Sequence, residues 1–139
     1  MEFRGRILAI DYGTKTIGLA YSDELGLTVQ PLPSIPNYGR KDLITKLKAL
    51  ILELNIYQLV LGMPIKLDGT RGDAAIRMEQ LMKRLKTGLT IPLIGIDERL
   101  STVEALEFWQ NMNPRQQKKY RTVDSLAAAM ILERYLKES

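Results

Sequence analysis

The stretch that most constrains the fold is residues 6–22, RILAIDYGTKTIGLAYS. An apolar run, Ile7-Leu8-Ala9-Ile10, ends on a carboxylate, Asp11. Gly13 and the polar residues Thr14, Lys15 and Thr16 follow, and then a second apolar run, Ile17-Gly18-Leu19-Ala20-Tyr21. Two apolar runs joined by a Gly-containing turn predict a β-hairpin. The first run has almost no polar alternation, which predicts a central strand buried on both faces. An Asp at the end of such a strand is desolvated unless something pairs with it, and a metal ion is one good partner. The plainer alternative is that Asp11 caps its own turn.

What the chain lacks narrows its chemistry. It has no Cys and no His. Disulfides, thiolate nucleophiles, Ser-His-Asp triads, imidazole acid–base catalysis and zinc sites built on Cys or His are all excluded. For a hydrolase, the remaining common route is a water activated by carboxylate-bound Mg²⁺ or Mn²⁺. The 139 residues fit one domain, and 45% hydrophobic with 26% charged residues is the balance of a globular protein able to bury one core. No apolar run reaches membrane-span length and the N-terminus carries no cleavage signal, so the default expectation is a cytoplasmic protein without a membrane partner. A net charge of +4 permits a polyanionic partner without requiring one.

Along the chain, SDELGL marks a turn with Gly26 as breaker, and residues 27–32 read as a third strand closed by Pro31, Pro33 and Pro36. Residues 37–40 read as a loop. Apolar positions at helical spacing predict a helix over 41–54, with Asn55 as its stop. Residues 58–62, QLVLG, predict a buried strand, and a second helix follows from about 73, with Asp73 as N-cap. Residues 92–96 predict a further buried strand. Ser101-Thr102-Val103-Glu104 has the form of a capping box opening a third helix. Residues 115–121, RQQKKYR, form a basic polar stretch, and the last helix covers 123–136. Three leading strands predict an antiparallel meander, and strands each followed by a helix predict parallel crossovers. The expected fold is therefore α/β: a mixed five-stranded sheet, three antiparallel strands then two parallel, flanked by helices on both faces.

In open sheets of this kind, sites lie beyond the carboxyl ends of the strands. Asp11 ends the first strand, Asp97 or Glu98 ends the last, and Asp124 lies in the first turn of the final helix. Three carboxylates brought together would repel unless a divalent cation neutralised them, and oxygen-only ligands select Mg²⁺ or Mn²⁺. Each also has a purely structural account. Asp124 suits a helix dipole, and Glu98 could pair with its neighbour Arg99. Glu104 is accounted for by the capping box.

The blocks ILAIDYGTKTIGLAYSD, LVLGMPIKLDGT, GIDERLST and VDSLAAAMIL, in that order, resemble the YqgF family. Its members are described as pre-16S rRNA nucleases and as Holliday-junction-resolvase-like proteins, and they share a ribonuclease-H-like fold. The resemblance spans nearly the whole chain. It implies that the acidic ligands are Asp11, Glu98 and Asp124, and so selects Glu98 over Asp97. It further implies metal-dependent phosphodiester hydrolysis, with one or two Mg²⁺ or Mn²⁺ ions lying about 4 Å apart when two are bound. The expected partner is nucleic acid: an rRNA precursor first, branched DNA second.

Around these positions lie candidates for substrate binding. Thr14 and Lys15 adjoin Asp11, where a lysine could offset phosphate charge. Arg99 follows Glu98. Arg115, Lys118, Lys119, Tyr120 and Arg121 precede Asp124 and could hold a backbone while Tyr120 stacks on a base. Arg71, between Gly69 and Gly72, is a candidate for the opposite rim. Each of these also reads as an ordinary solvated charge or a turn residue. Among rival functions, an actin-like or Hsp70-like ATPase shares an Asp-x-Gly-Thr turn, but such proteins close two domains around a nucleotide. A Holliday junction resolvase would need two active sites and hence a dimer; nothing in the sequence decides between monomer and homodimer. A non-catalytic nucleic-acid-binding module is the remaining alternative.

Overall fold

A computed structural model describes residues 5–63, 72–97, 101–120 and 123–138, with the side chains of 101–104, 120, 123 and 124 left out of the description. The hairpin forms as expected from β1 (Arg6–Tyr12) and β2 (Thr16–Ser22), with Asp11 opposite Gly18. β3 (Val29–Pro36) completes an antiparallel meander. Helix α1 (Arg40–Leu54) leads to β4 (Ile56–Met63), and α2 (Asp73–Gly88) precedes β5 (Leu93–Asp97). Three helices close the chain: α3 (Ser101–Asn111), α4 (Pro114–Tyr120) and α5 (Val123–Glu138). The strand order is β3-β2-β1-β4-β5, with β4 parallel to β1 and β5 parallel to β4. Among the described residues, no helix is long and apolar enough to cross a membrane.

β1 is the central strand because its sequence can be buried on both sides. Leu8 and Ile10 face one layer, packed with Leu43 and Leu47 of α1 and Met78 and Leu85 of α2. Ile7 and Ala9 face the other, packed with Ile131 and Leu132 of α5. Small residues at Ala20, Ala128 and Ala129 let α5 lie close on the sheet, and all three are buried. α3 then packs on α5 through Ala105, Leu126 and Ala127.

Four expectations shift in detail. The third strand covers Val29–Pro36, so Pro31 and Pro33 lie inside it rather than closing it. β3 is an edge strand, where a residue facing away from its single partner needs no N–H for the ladder. β5 is the other edge, and Ile94 remains 39% exposed where a buried strand was expected. Asp73 is the first residue of α2, and the N-cap is Gly72, without a side-chain cap. Its carboxylate therefore acts on the helix dipole rather than as a cap. The basic stretch is helical over most of its length, as α4. Asn55, by contrast, does end α1, in the left-handed conformation at φ 55°.

Candidate functional site

The carboxyl ends of β1, β4 and β5 lie at one edge of the sheet, and strand order reverses direction around β1. Asp11 sits one residue from the end of β1. Side chains alternate along a strand, so Asp11 shares the α5 face with Ile7 and Ala9. It is part-buried there. Its neighbour on β2 is Gly18, and Leu61 pairs with Ile10, so the next β4 position beside Asp11 is Gly62. Glycine on both flanks leaves room around the carboxylate at the level where it leaves the sheet. The sequence holds this signal, but it becomes readable only once the register is known.

The start of α5 is held at the same face. The Ser125 hydroxyl, fully buried, donates to the Leu32 carbonyl of β3 at 2.6 Å. Leu32 pairs with Leu19, which pairs with Ile10, so this clamp lies one level below Asp11. Asp124 precedes Ser125 in the first turn of α5. The fold thus brings the backbone of Asp124 and the Asp11 position to one face and one edge. Glu98 follows directly after β5, whose last residue Asp97 pairs with Met63 at that edge; Glu98 itself lies outside the described residues. Among the described residues, no group of three carboxylates is close enough to share an ion. Of the three expected ligands, only the Asp11 side chain falls within that description.

The turn after Asp11 is held by Asn37, from the loop between β3 and α1. Asn37 Nδ2 donates to the Gly13 carbonyl at 2.7 Å, and the Asn37 N–H donates to the Lys15 carbonyl at 2.9 Å. Asn37 Oδ1 accepts from the Gly39 N–H at 3.0 Å and from the Tyr12 hydroxyl at 3.4 Å. Gly13 is required because a Cβ there would run into the Thr16 carbonyl oxygen. Thr14 and Lys15 are exposed on this fixed turn.

The basic stretch also has a built start. Asn113 Oδ1 accepts from the Gln116 N–H at 2.9 Å, and Gln116 Oε1 accepts from the Asn113 N–H at 3.2 Å. This is a reciprocal cap with Pro114 at the first helical position, a signal present in Asn113-Pro114-Arg115-Gln116. Arg115, Lys118 and Lys119 project from α4, which packs on β3 and α5. Tyr120 ends α4, with its side chain outside the description, and Arg71, Arg99 and Arg121 lie outside the described residues.

On the opposite face of the sheet, a cleft of about 450 Å³ opens beside Tyr12, Gly13 and Thr14. Arg40 from α1 and Arg77 and Arg84 from α2 line it, and among the described residues no carboxylate does.

Comparison with known proteins fits this architecture. The family model described as "RuvX: Holliday junction resolvase" matches residues 5–138. A protein of Clostridioides difficile (strain 630) named "Putative pre-16S rRNA nuclease" is 40% identical over 132 residues, covering 95% of this chain and 94% of its own length. A protein of the same name from Bacillus subtilis (strain 168) is 38% identical over 137 residues, covering 94% of this chain and 96% of its own. Among solved structures, Thermus thermophilus RuvC in complex with a Holliday junction substrate superposes with a TM-score of 0.54 at 12% identity, covering 97% of this chain and 96% of that one. The fowlpox virus resolvase with Holliday junction DNA gives a TM-score of 0.54 at 13% identity over 96% and 97% of the two chains. At those identities the structural likeness carries the fold, which is ribonuclease-H-like. Matched along almost its whole length by the family model and by relatives of equal size, the chain belongs to the RuvX (YqgF) family.

Proposed function

We propose that this protein is a metal-dependent nuclease that hydrolyses phosphodiester bonds, and that its substrate is the 5′ end of the 16S rRNA precursor. The observation that carries the reading is the position of Asp11: a part-buried carboxylate near the carboxyl end of the central strand, flanked by glycines, on the face where the start of α5 is clamped. The rRNA assignment draws on the relatives' name.

The donor set fits a hard divalent cation, because a chain without His or Cys offers only oxygen ligands of this kind. Asp11, Glu98 and Asp124 would hold one or two Mg²⁺ or Mn²⁺ ions. Such ions, when bound, lower the pKa of a water and stabilise the leaving oxygen. The protein's own contribution is positional. β1 is fixed by strands on both sides, so Asp11 needs little reorganisation to meet its ligand. Gly13 and Asn37 hold the turn that presents Thr14 and Lys15, where the lysine ammonium offsets the charge of an approaching phosphate.

Cleavage of a single-stranded rRNA-precursor oligonucleotide and of a four-way DNA junction, side by side with Mn²⁺ or Mg²⁺, tests the reading. RNA cutting that falls at least about a hundredfold in Asp11→Asn, with the junction intact, supports it. Symmetrical cutting of the junction alone would assign the resolvase activity that the family model describes, together with a dimer. Metal-dependent cutting of neither substrate would make the protein a binding module.

A further inference from the structure

The cleft beside Tyr12 is not part of the carboxylate site. Tyr12 packs with the α1/α2 layer, whereas the neighbouring Asp11 faces α5. Adjacent residues of one strand therefore serve opposite faces, with Cα atoms about 3.8 Å apart. The cleft is lined by Gly13 and Thr14, the turn that directly follows Asp11 and Tyr12.

The charge of the cleft is one-sided. Among the described residues, Arg40, Arg77 and Arg84 line it with no lining carboxylate, and none of the three has an ion-pair partner. On α1, by contrast, Lys46 pairs with Asp42 at 2.9 Å. Arg77 and Arg84 are seven residues apart on α2, which is two turns, or about 10 Å along the axis. Arg40 stands across from them at the start of α1. Guanidinium groups spread over such a length match successive phosphates of a strand better than one compact phosphate group. The floor between them is apolar, formed by Met78 and Leu81 with the Tyr12 ring, which suits unstacked bases.

From this charge complementarity we infer that the Arg40–Arg77–Arg84 cleft binds the sugar-phosphate backbone of the single-stranded nucleic acid that continues from the cleavage site over the β1–β2 turn. The inference rests on the nuclease reading only in taking nucleic acid as the substrate. Asn37 is then a positioning residue for both halves, since it ties the turn to the chain entering α1 beside Arg40.

The test is equilibrium binding of a fluorescently labelled single-stranded RNA in EDTA over a series of salt concentrations. It compares wild type, Arg77→Gln/Arg84→Gln, and a charge-matched control, Lys48→Gln/Lys137→Gln, at exposed lysines outside the cleft. Each phosphate contact on a single strand contributes about 0.7 to the slope of log K against log salt. The cleft variant is expected to lose about 1.4 from that slope and to bind about tenfold more weakly at low salt, with the control near wild type. Equal losses in both variants would overturn the inference, because net charge alone would account for binding. An unchanged slope in the cleft variant would also overturn it, as would an Arg77/Arg84-dependent affinity for ADP or inorganic phosphate without an effect on RNA. Both doubles are checked for a wild-type unfolding midpoint. Because no metal is present, the result is separate from the cleavage assay: RNA bound through the cleft but never cut would sink the nuclease reading alone.

Discussion

Asn37 shows how much one polar side chain can fix. Its amide spans the Gly13 carbonyl on one side and the Gly39 N–H on the other, while its own N–H holds Lys15. Asn37→Ala removes the side-chain bonds and leaves the Gly13 carbonyl without that donor. The expected loss is about 1–2 kcal/mol in urea unfolding, with amide shifts concentrated at residues 13–15. An unfolding midpoint unchanged from wild type would mean water replaces the side chain at no cost. Gly13→Ala acts on the same turn by a different route. Its Cβ would collide with the Thr16 carbonyl oxygen, which accepts the Gly13 N–H at 3.0 Å, so the turn must open. Nuclease activity is expected to drop with it, while the core strands keep their amide protection in hydrogen exchange. The place of Asp11 near the end of β1 is legible from sequence because a carboxylate ending an apolar run stands out. The role of Asn37 is not, because the two carbonyls it holds belong to the β1–β2 turn some twenty residues earlier.

The elements were legible in proportion to how local their causes are. The hairpin, the α1 stripe and its Asn55 stop follow from neighbouring residues, and the structure repeats them. The position of β5 at the sheet edge does not, because an apolar run reads the same whether a strand has one partner or two. β3 runs through its prolines for the same reason. The β2–β3 connection adds a pH dependence. Asp23 Oδ1 accepts from the Thr28 N–H at 3.0 Å and the Leu27 N–H at 2.6 Å. The Thr28 amide chiefly holds the Asp23 carboxyl below its ordinary value, against the opposing effect of burial and with help from the Leu27 amide. A carboxyl depressed in the folded state stabilises it above the unfolded pKa, and that contribution fades as pH falls through the folded value. Acid titration should therefore loosen residues 23–28 first, seen as faster amide exchange at Leu27 and Thr28 than in the β1–β4 ladder. In Asp23→Asn this local pH dependence should vanish. If it persists, another group governs the turn.

For the molecule as a whole, the carboxylate reading has a thermodynamic consequence that needs no substrate. The protein carries a net charge of +4, so divalent cations have no general attraction to it. A cation that stabilises the fold must therefore find a local cluster of negative charge. If Asp11, Glu98 and Asp124 converge at the carboxyl edge of the sheet, their mutual repulsion weakens the metal-free protein, and a bound cation relieves it. Mn²⁺ at a hundredfold excess over its Kd should stabilise the wild type by about 2.7 kcal/mol, read as a rise in unfolding temperature that grows with Mn²⁺ concentration. Asp11→Asn removes both a ligand and a repulsive charge. Its metal-free form should unfold at the wild-type temperature or above it, and Mn²⁺ should move it far less. The two halves check each other: a variant destabilised without metal has lost structure rather than repulsion. An Mn²⁺ response equal in wild type and variant would place the cation elsewhere and remove Asp11 from the ligand set.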